Sequence, residues 1–187
     1  MKIPSFLPSC LAAVVLAALS ATGAAQEKIW HVKAFLPEGG QLDVKAFDKD
    51  GKPHSVKAIE TVGNLHLLDI KALVGDQKLP VKILVSDDKY APVKAIGDDG
   101  TIYAIKALTA GGKQLDIKGV KQSGSIIHIK AIGPDGVFYG VKAISPEGRV
   151  YDVKGLKMLK EREETKVNGV SVAAHVKALP QAPEVVK

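Results

Sequence analysis

The sequence is poor in cysteine, arginine and aromatic residues. Its only cysteine, Cys10, lies in an N-terminal leader, so the chain from Gln26 onward has no thiol. Thiol catalysis and cysteine–metal sites are excluded there, and an oxidising compartment is tolerated without a disulfide. Lys and Arg total 26, but only Arg149 and Arg162 are arginine. Planar, bidentate reading of phosphates and base edges leans on Arg, so no specific nucleic-acid binding is expected. Aromatic residues make up 5%, too few for the girdles of a membrane barrel.

Catalytic signatures are missing too. There is no G-x-S-x-G, H-E-x-x-H, C-x-x-C, Walker A or G-x-G-x-x-G. His31, His54, His66, His128 and His175 are all more than four residues apart. Asp48-Lys-Asp50-Gly51 resembles the start of a calcium loop but lacks the further ligands, and it reads as a turn. No catalytic residue, metal ligand or cofactor is assigned, and the expectation is a protein that is not an enzyme.

The first 25 residues read as a secretory signal. Lys2 gives a positive start, Leu11 to Leu19 a short apolar run, and Gly23 and Ala25 the small residues before a cut at Gln26. An exported protein, periplasmic or extracellular, is expected. With the signal removed, no transmembrane segment remains, since the apolar run is too short to span a bilayer. Residues 26–187 are read as one domain.

What is present is a repeat. Val-Lys-Ala-like units centre on Lys33, Lys45, Lys57, Lys71, Lys82, Lys94, Lys106, Lys118, Lys130, Lys142 and Lys154, with spacings of 12, 12, 14, 11 and then 12 throughout. A further copy, His175-Val-Lys177-Ala-Leu179, echoes His31-Val-Lys33-Ala-Phe35. The units are β-branched and favour strand. Between them stand turn residues such as Pro134-Asp135-Gly136, with Gly six residues after the lysine in Gly39, Gly51, Gly63, Gly100, Gly112, Gly124, Gly136 and Gly148. That is the chemistry of a three-residue hairpin loop with a positive-φ glycine. The expected fold is all-β, an antiparallel meander of about twelve short strands, closed as a barrel or folded into two packed sheets. No threefold super-period of a β-trefoil is visible.

Positions are numbered from the lysine as 0. A three-residue loop sets cross-strand partners. Lys then faces position −2 of the next strand, as in Lys33/Asp43, Lys106/Asp116 and Lys142/Asp152, and Val or Ile at −1 faces its counterpart. Alternation puts −3, −1 and +1 on the core face and −2, 0 and +2 on the outer face. Position +1 is small (Ala46, Ala58, Ala95, Ala107, Gly119, Ala131, Ala143, Gly155), which predicts close packing against it.

Irregular stretches predict exceptions. Pro80 and Pro92 both occupy −2 and cannot donate to a ladder, which places a sheet edge or a switch between sheets near residues 72–92. That segment also offers Asp76, Asp87, Asp88 and Tyr90. Residues 158–166 suit a charged helical turn or linker, and 180–187 a loose tail. A last strand near 170–179 is expected to return to the first repeat, bringing His31 and His175 together.

One feature could be a binding site: the outer lysines Lys33, Lys45, Lys57, Lys94, Lys106, Lys118, Lys130, Lys142 and Lys154. As a cationic stripe they suit an anionic polymer such as a glycan, or an envelope protein. As solvated charges they keep a repetitive sheet soluble, and Lys rather than Arg, partly offset by Asp, favours this second reading. No base-stacking aromatic platform is expected on their face.

Overall fold

The computed structural model describes residues 27–61, 64–157 and 166–181. The segment read as a secretory signal and most of the 158–166 and 180–187 segments lie outside the described residues; Lys166 opens a strand and Pro180 ends one. The described chain is all-β, antiparallel throughout, and closes on itself.

Twelve strands carry one repeat each, and they associate in threes. β1 (Lys28–Phe35), β2 (Gln41–Phe47) and β3 (Pro53–Thr61) pair with one another in a cycle. So do β6 (Ala91–Ile96), β7 (Ile102–Leu108) and β8 (Gln114–Ser123). A third cycle joins β9 (Ile126–Ile132), β10 (Phe138–Ile144) and β11 (Val150–Lys157). The fourth takes β4 (Asn64–Val74), β5 (Gln77–Leu84) and the distant β13 (Val170–Pro180). A two-residue strand, β12 (Lys166–Val167), pairs with the start of β13. We call each cycle a corner. Six further ladders join the corners: β1–β10, β2–β7, β3–β4, β5–β6, β8–β9 and β11–β13. Each pair of corners is therefore joined once, which is the connectivity of a tetrahedron.

The register explains how one repeat serves both kinds of ladder. Within a corner, Lys pairs with −2 of the next strand, as in Lys33↔Asp43, Lys45↔Ser55 and His31↔Lys57. Between corners, Lys pairs with Lys in all six cases: Lys33↔Lys142, Lys45↔Lys106, Lys57↔Lys71, Lys82↔Lys94, Lys118↔Lys130 and Lys154↔Lys177. The expected Val-on-Val ladder pairs do not form. Each strand divides one edge between two corner neighbours, with the break at −1, so Val32 pairs with Ala143 across the other edge instead.

The loops follow the turn chemistry. Leu36 N donates to Gly40 O and Gly39 N to Leu36 O, enclosing a three-residue loop, and Gly39, Gly51, Gly100, Gly112, Gly136 and Gly148 all have positive φ. Gly124 departs from the pattern. A bulge after Gly119 extends β8, and Gly124 falls in a two-residue turn. Gly63 lies outside the described residues.

The edge or switch between sheets expected near 72–92 is not there, because β5 and β6 lie in one sheet and each pairs with three strands. In the turns it is the odd positions, such as Leu36 at +3, that bond within the corner. Even positions therefore aim their N–H between corners. Pro80 and Pro92, both at −2, lack that N–H on the same ladder. The β5–β6 ladder runs only from Val81↔Ala95 to Ile83↔Val93, whereas β1–β10 runs from His31↔Ile144 to Phe35↔Gly140. The prolines shorten a joint rather than expose an edge. The closing strand also differs from expectation. β13 joins β4, β5 and β11, not β1, so His31 and His175 sit in different corners.

The core face is the expected one. The −1 residues of all twelve repeats, from Val32 to Val176, line one central space of only about 10 Å³. An apolar space of that size holds no water. Around it, +1 packs against −3. In one group Trp30, Leu68 and Tyr151 lie opposite Ala58, Ala178 and Ala143. In two others Leu42, Leu115 and Tyr139, and His54, Leu79 and Tyr103, also face alanines. The fourth group contains an inverted pair: Ile83 at +1 faces Ala174 at −3, beside Gly119 facing Ala91 and Gly155 facing Ile127. A Cβ on Gly155 would lie 2.3 Å from Ile83 Cδ1, and one on Gly119 would lie 2.8 Å from Ile127 Cγ2. The two glycines make room for the one bulky +1 residue, so the small +1 is a packing requirement.

Candidate functional site

Each corner gathers three lysines around one aspartate. The first has Lys33, Lys45 and Lys57 with Asp43; the second Lys94, Lys106 and Lys118 with Asp116; the third Lys130, Lys142 and Lys154 with Asp152; the fourth Lys71, Lys82 and Lys177 with Asp69. Three positive charges and one negative leave +2 per corner. The nine lysines singled out from sequence thus fall into three complete triads rather than one stripe. Lys71, Lys82 and Lys177, which complete the fourth, are not among those nine.

The electrostatics follow from this crowding. Asp43 bonds Lys33 and Asp116 bonds Lys106, while Asp152 lies 3.2 Å from both Lys142 Nζ and Lys154 Nζ. Asp69 bonds Lys177, its neighbour from more than a hundred residues away in sequence. Hydrogen bonding to lysine holds the Asp43 and Asp116 carboxyls below the usual range. Burial pushes Asp69 and Asp152 the other way, but the surrounding lysines outweigh it and both end lower. Lys57, Lys94 and Lys130 are lowered, first by burial and then by neighbouring lysines. Lys57 lowers His31, and burial with Lys154 lowers His128. His175 accepts Lys82 as a partner. At these corners histidine sits beside ammonium groups, an arrangement that repels a metal cation. The Asp48 loop is a turn: its carboxylate accepts from Asp50 N and Lys52 N.

The corners differ in what fills −2. Where Pro92 and Ala104 stand beside Asp116, a polar recess of about 50 Å³ opens between Lys94, Lys106 and Lys118. It has room for one small anion.

Two groups of residues escaped the sequence reading. Buried Glu60 accepts from Trp30 Nε1 at 2.7 Å and from Arg149 Nη2 at 3.3 Å, and the Arg149 guanidinium lies 4.8 Å from the Trp30 ring centroid. Their signal was rarity alone: the only tryptophan and one of two arginines. The second is a pairing: Tyr90, already noted in the irregular segment, meets Phe138 on the outer face. Tyr90 and Phe138 both occupy −4, and their rings meet edge to face at 5.7 Å.

Among the described residues no helix is long and apolar enough to cross a membrane. No curated protein and no solved structure matches the chain. A family model does match, over residues 26–179, and the chain belongs to that family, described as a family of unknown function (DUF7486).

Proposed function

We propose that this is an exported, non-enzymatic interaction module that binds anionic polymers through its lysine corners. The observation that carries the reading is the pairing of Lys with Lys on all six ladders between corners. Like charges directly opposite on a sheet are destabilising, by about 0.2–1 kcal/mol for a pair. Solubility alone does not call for them in register, and alternating Lys with Glu would serve it as well. Four +2 corners facing outward suit a ligand that presents many negative charges at intervals. Lysine gives flexible point contacts rather than planar recognition, which matches a polymer read by charge spacing. The leader sequence supports export, and envelope and extracellular polymers are commonly anionic.

The test uses heparin as the probe. Affinity is measured across a salt series for the wild type and for a variant with Lys106, Lys118, Lys130 and Lys142 changed to Gln. Binding should weaken steeply with salt, and the slope should fall in the variant because fewer counterions are exchanged. Binding that ignores salt, or a variant with an unchanged slope, rejects the proposal.

A further inference from the structure

The corners repeat one another, but one place on the outer face does not. A groove of about 430 Å³ is lined by Tyr90, Val120, Lys121, His128, Lys130 and Phe138. Its volume lies within the roughly 300–1,000 Å³ typical of small-molecule sites. Several features around it depart from the repeat, while Phe138 stands in a regular hairpin. Tyr90 ends the long connection between β5 and β6. Val120 sits at the β8 bulge, which brings Lys121 opposite His128. Gly140 at −2 leaves open space beside Lys130, whose Nζ would lie 3.9 Å from a Cβ placed there.

The chemistry of the lining is specific. Phe138 and the adjacent Val137 are exposed, at 42% and 44%. Tyr90 and Phe138 meet edge to face, and Lys89 Nζ lies 5.1 Å from the Tyr90 ring centroid, while Phe138 stays open to solvent at the groove. Lys121 and Lys130 border the same groove, and among the described residues no carboxylate lines it. An apolar ring beside two ammonium groups fits a ligand with an apolar face and a negative edge. A pyranose ring bearing a carboxylate or sulfate has both: its axial C–H face packs on an aromatic ring, and its anionic substituent reaches the lysines. A nucleobase fits less well, since an edge-to-face pair offers no slot between parallel rings, and the lining has no Arg, Asn or Gln to read a base edge.

We infer that the Tyr90–Phe138 groove, with Lys121 and Lys130, is a subsite for a single uronate or sulfated sugar ring. This rests on the reading of the protein as a polyanion binder, and it adds that the polymer is a glycan held at one ring-specific position. The charge-based corners then supply avidity along the chain.

The experiment titrates the protein with a heparin-derived sulfated uronate disaccharide, which presents a single uronate ring, and follows the aromatic NMR signals of Tyr90 and Phe138. Both signals should shift. Phe138→Leu and Lys121→Gln should each weaken the disaccharide at least tenfold, and Phe138→Tyr should retain it. Because Phe138 is exposed, Phe138→Leu leaves the fold intact, which an unchanged thermal midpoint verifies. No shift, a Phe138→Leu affinity within twofold of wild type, or tighter binding of adenosine monophosphate overturns the assignment. The two readings fail separately. If heparin shows salt-dependent binding but the disaccharide does not bind, the groove assignment falls and the corners stand. If the disaccharide binds at the groove but changing Lys106, Lys118 and Lys142, which lie outside it, to Gln leaves the salt slope of heparin binding unchanged, the corner reading falls.

Discussion

The packing group with the inverted pair gives the sharpest test of how the repeat folds. Ile83 is fully buried, and Ile83→Ala alone should cost about 2–5 kcal/mol. Gly155→Ala puts a Cβ 2.3 Å from Ile83 Cδ1 and 3.2 Å from Ile127 Cβ. Gly119→Ala puts one 2.8 Å from Ile127 Cγ2 and 3.4 Å from Ile83 Cδ1. Neither glycine has positive φ, so the backbone accepts alanine and the whole penalty is steric. Each should cost about 1–3 kcal/mol by overpacking. Added independently, the three changes would cost roughly 4–11 kcal/mol, enough to unfold many domains. Made together, they restore the alanine of the other repeats. Three side-chain carbons are lost at residue 83 and two are gained at the glycines, a net loss of one, worth about 0.8 kcal/mol. Ile127 still has to shift, so the triple variant should cost about 1–2 kcal/mol. Urea denaturation at equilibrium, followed by the fluorescence of Trp30 in a different packing group, reads all four variants. A triple variant as unstable as the sum of its parts, or a Gly155→Ala variant within 0.5 kcal/mol of wild type, would refute the packing argument.

Glu60→Ala should destabilise the protein by about 1–3 kcal/mol, because it strands the buried Trp30 N–H and removes the partner of Arg149. Glu60→Gln keeps an acceptor and should cost less than half as much in the same denaturation assay; equal losses would show that the indole bond is not the cause. Stability should also rise with pH in separate windows. The lowered carboxyls of Asp43, Asp69, Asp116 and Asp152 contribute stability that is present above the unfolded value near 4 and lost as pH falls through the folded values. His31 and His128, also lowered, favour the folded state as they lose their protons, so stability gains as pH rises toward about 6.5. Lys57, Lys94 and Lys130 act in the same direction as pH approaches about 10. Thermal midpoints from pH 3 to 10 check this, and a fall in stability between pH 8 and 10 would contradict the crowding of the lysines.

Much of this architecture was legible in the sequence because it is local. The period of 12 sets a strand and a reversal, the positive-φ glycines mark loop ends, and alternation assigns Val and Ala inward and Lys outward. Ladders within corners join mostly consecutive strands, so Lys33 opposite Asp43 and Lys106 opposite Asp116 followed from loop length alone. The ladders between corners were not legible. β1 meets β10, β2 meets β7 and β11 meets β13 through pairings with no loop to set them. Twelve near-identical strands carry no label for which should meet. Pro80 and Pro92 looked like an edge because proline removes a donor; that the donor belonged to a ladder shortened from both sides depended on where β5 and β6 lie.

The candidate sites divide the same way. Strand periodicity alone places lysines on the outer face at every repeat, sets aspartate beside some of them, and requires a small residue beside Val or Ile on the core side. The gathering of lysines in threes around one aspartate, and their opposition in pairs, come from the folded arrangement, because both arise where strands distant in the chain converge. That arrangement likewise brought Tyr90 to Phe138, which share position −4 but stand four repeats apart. A period records what each strand presents, whereas the closure of the sheet fixes which strands present it together.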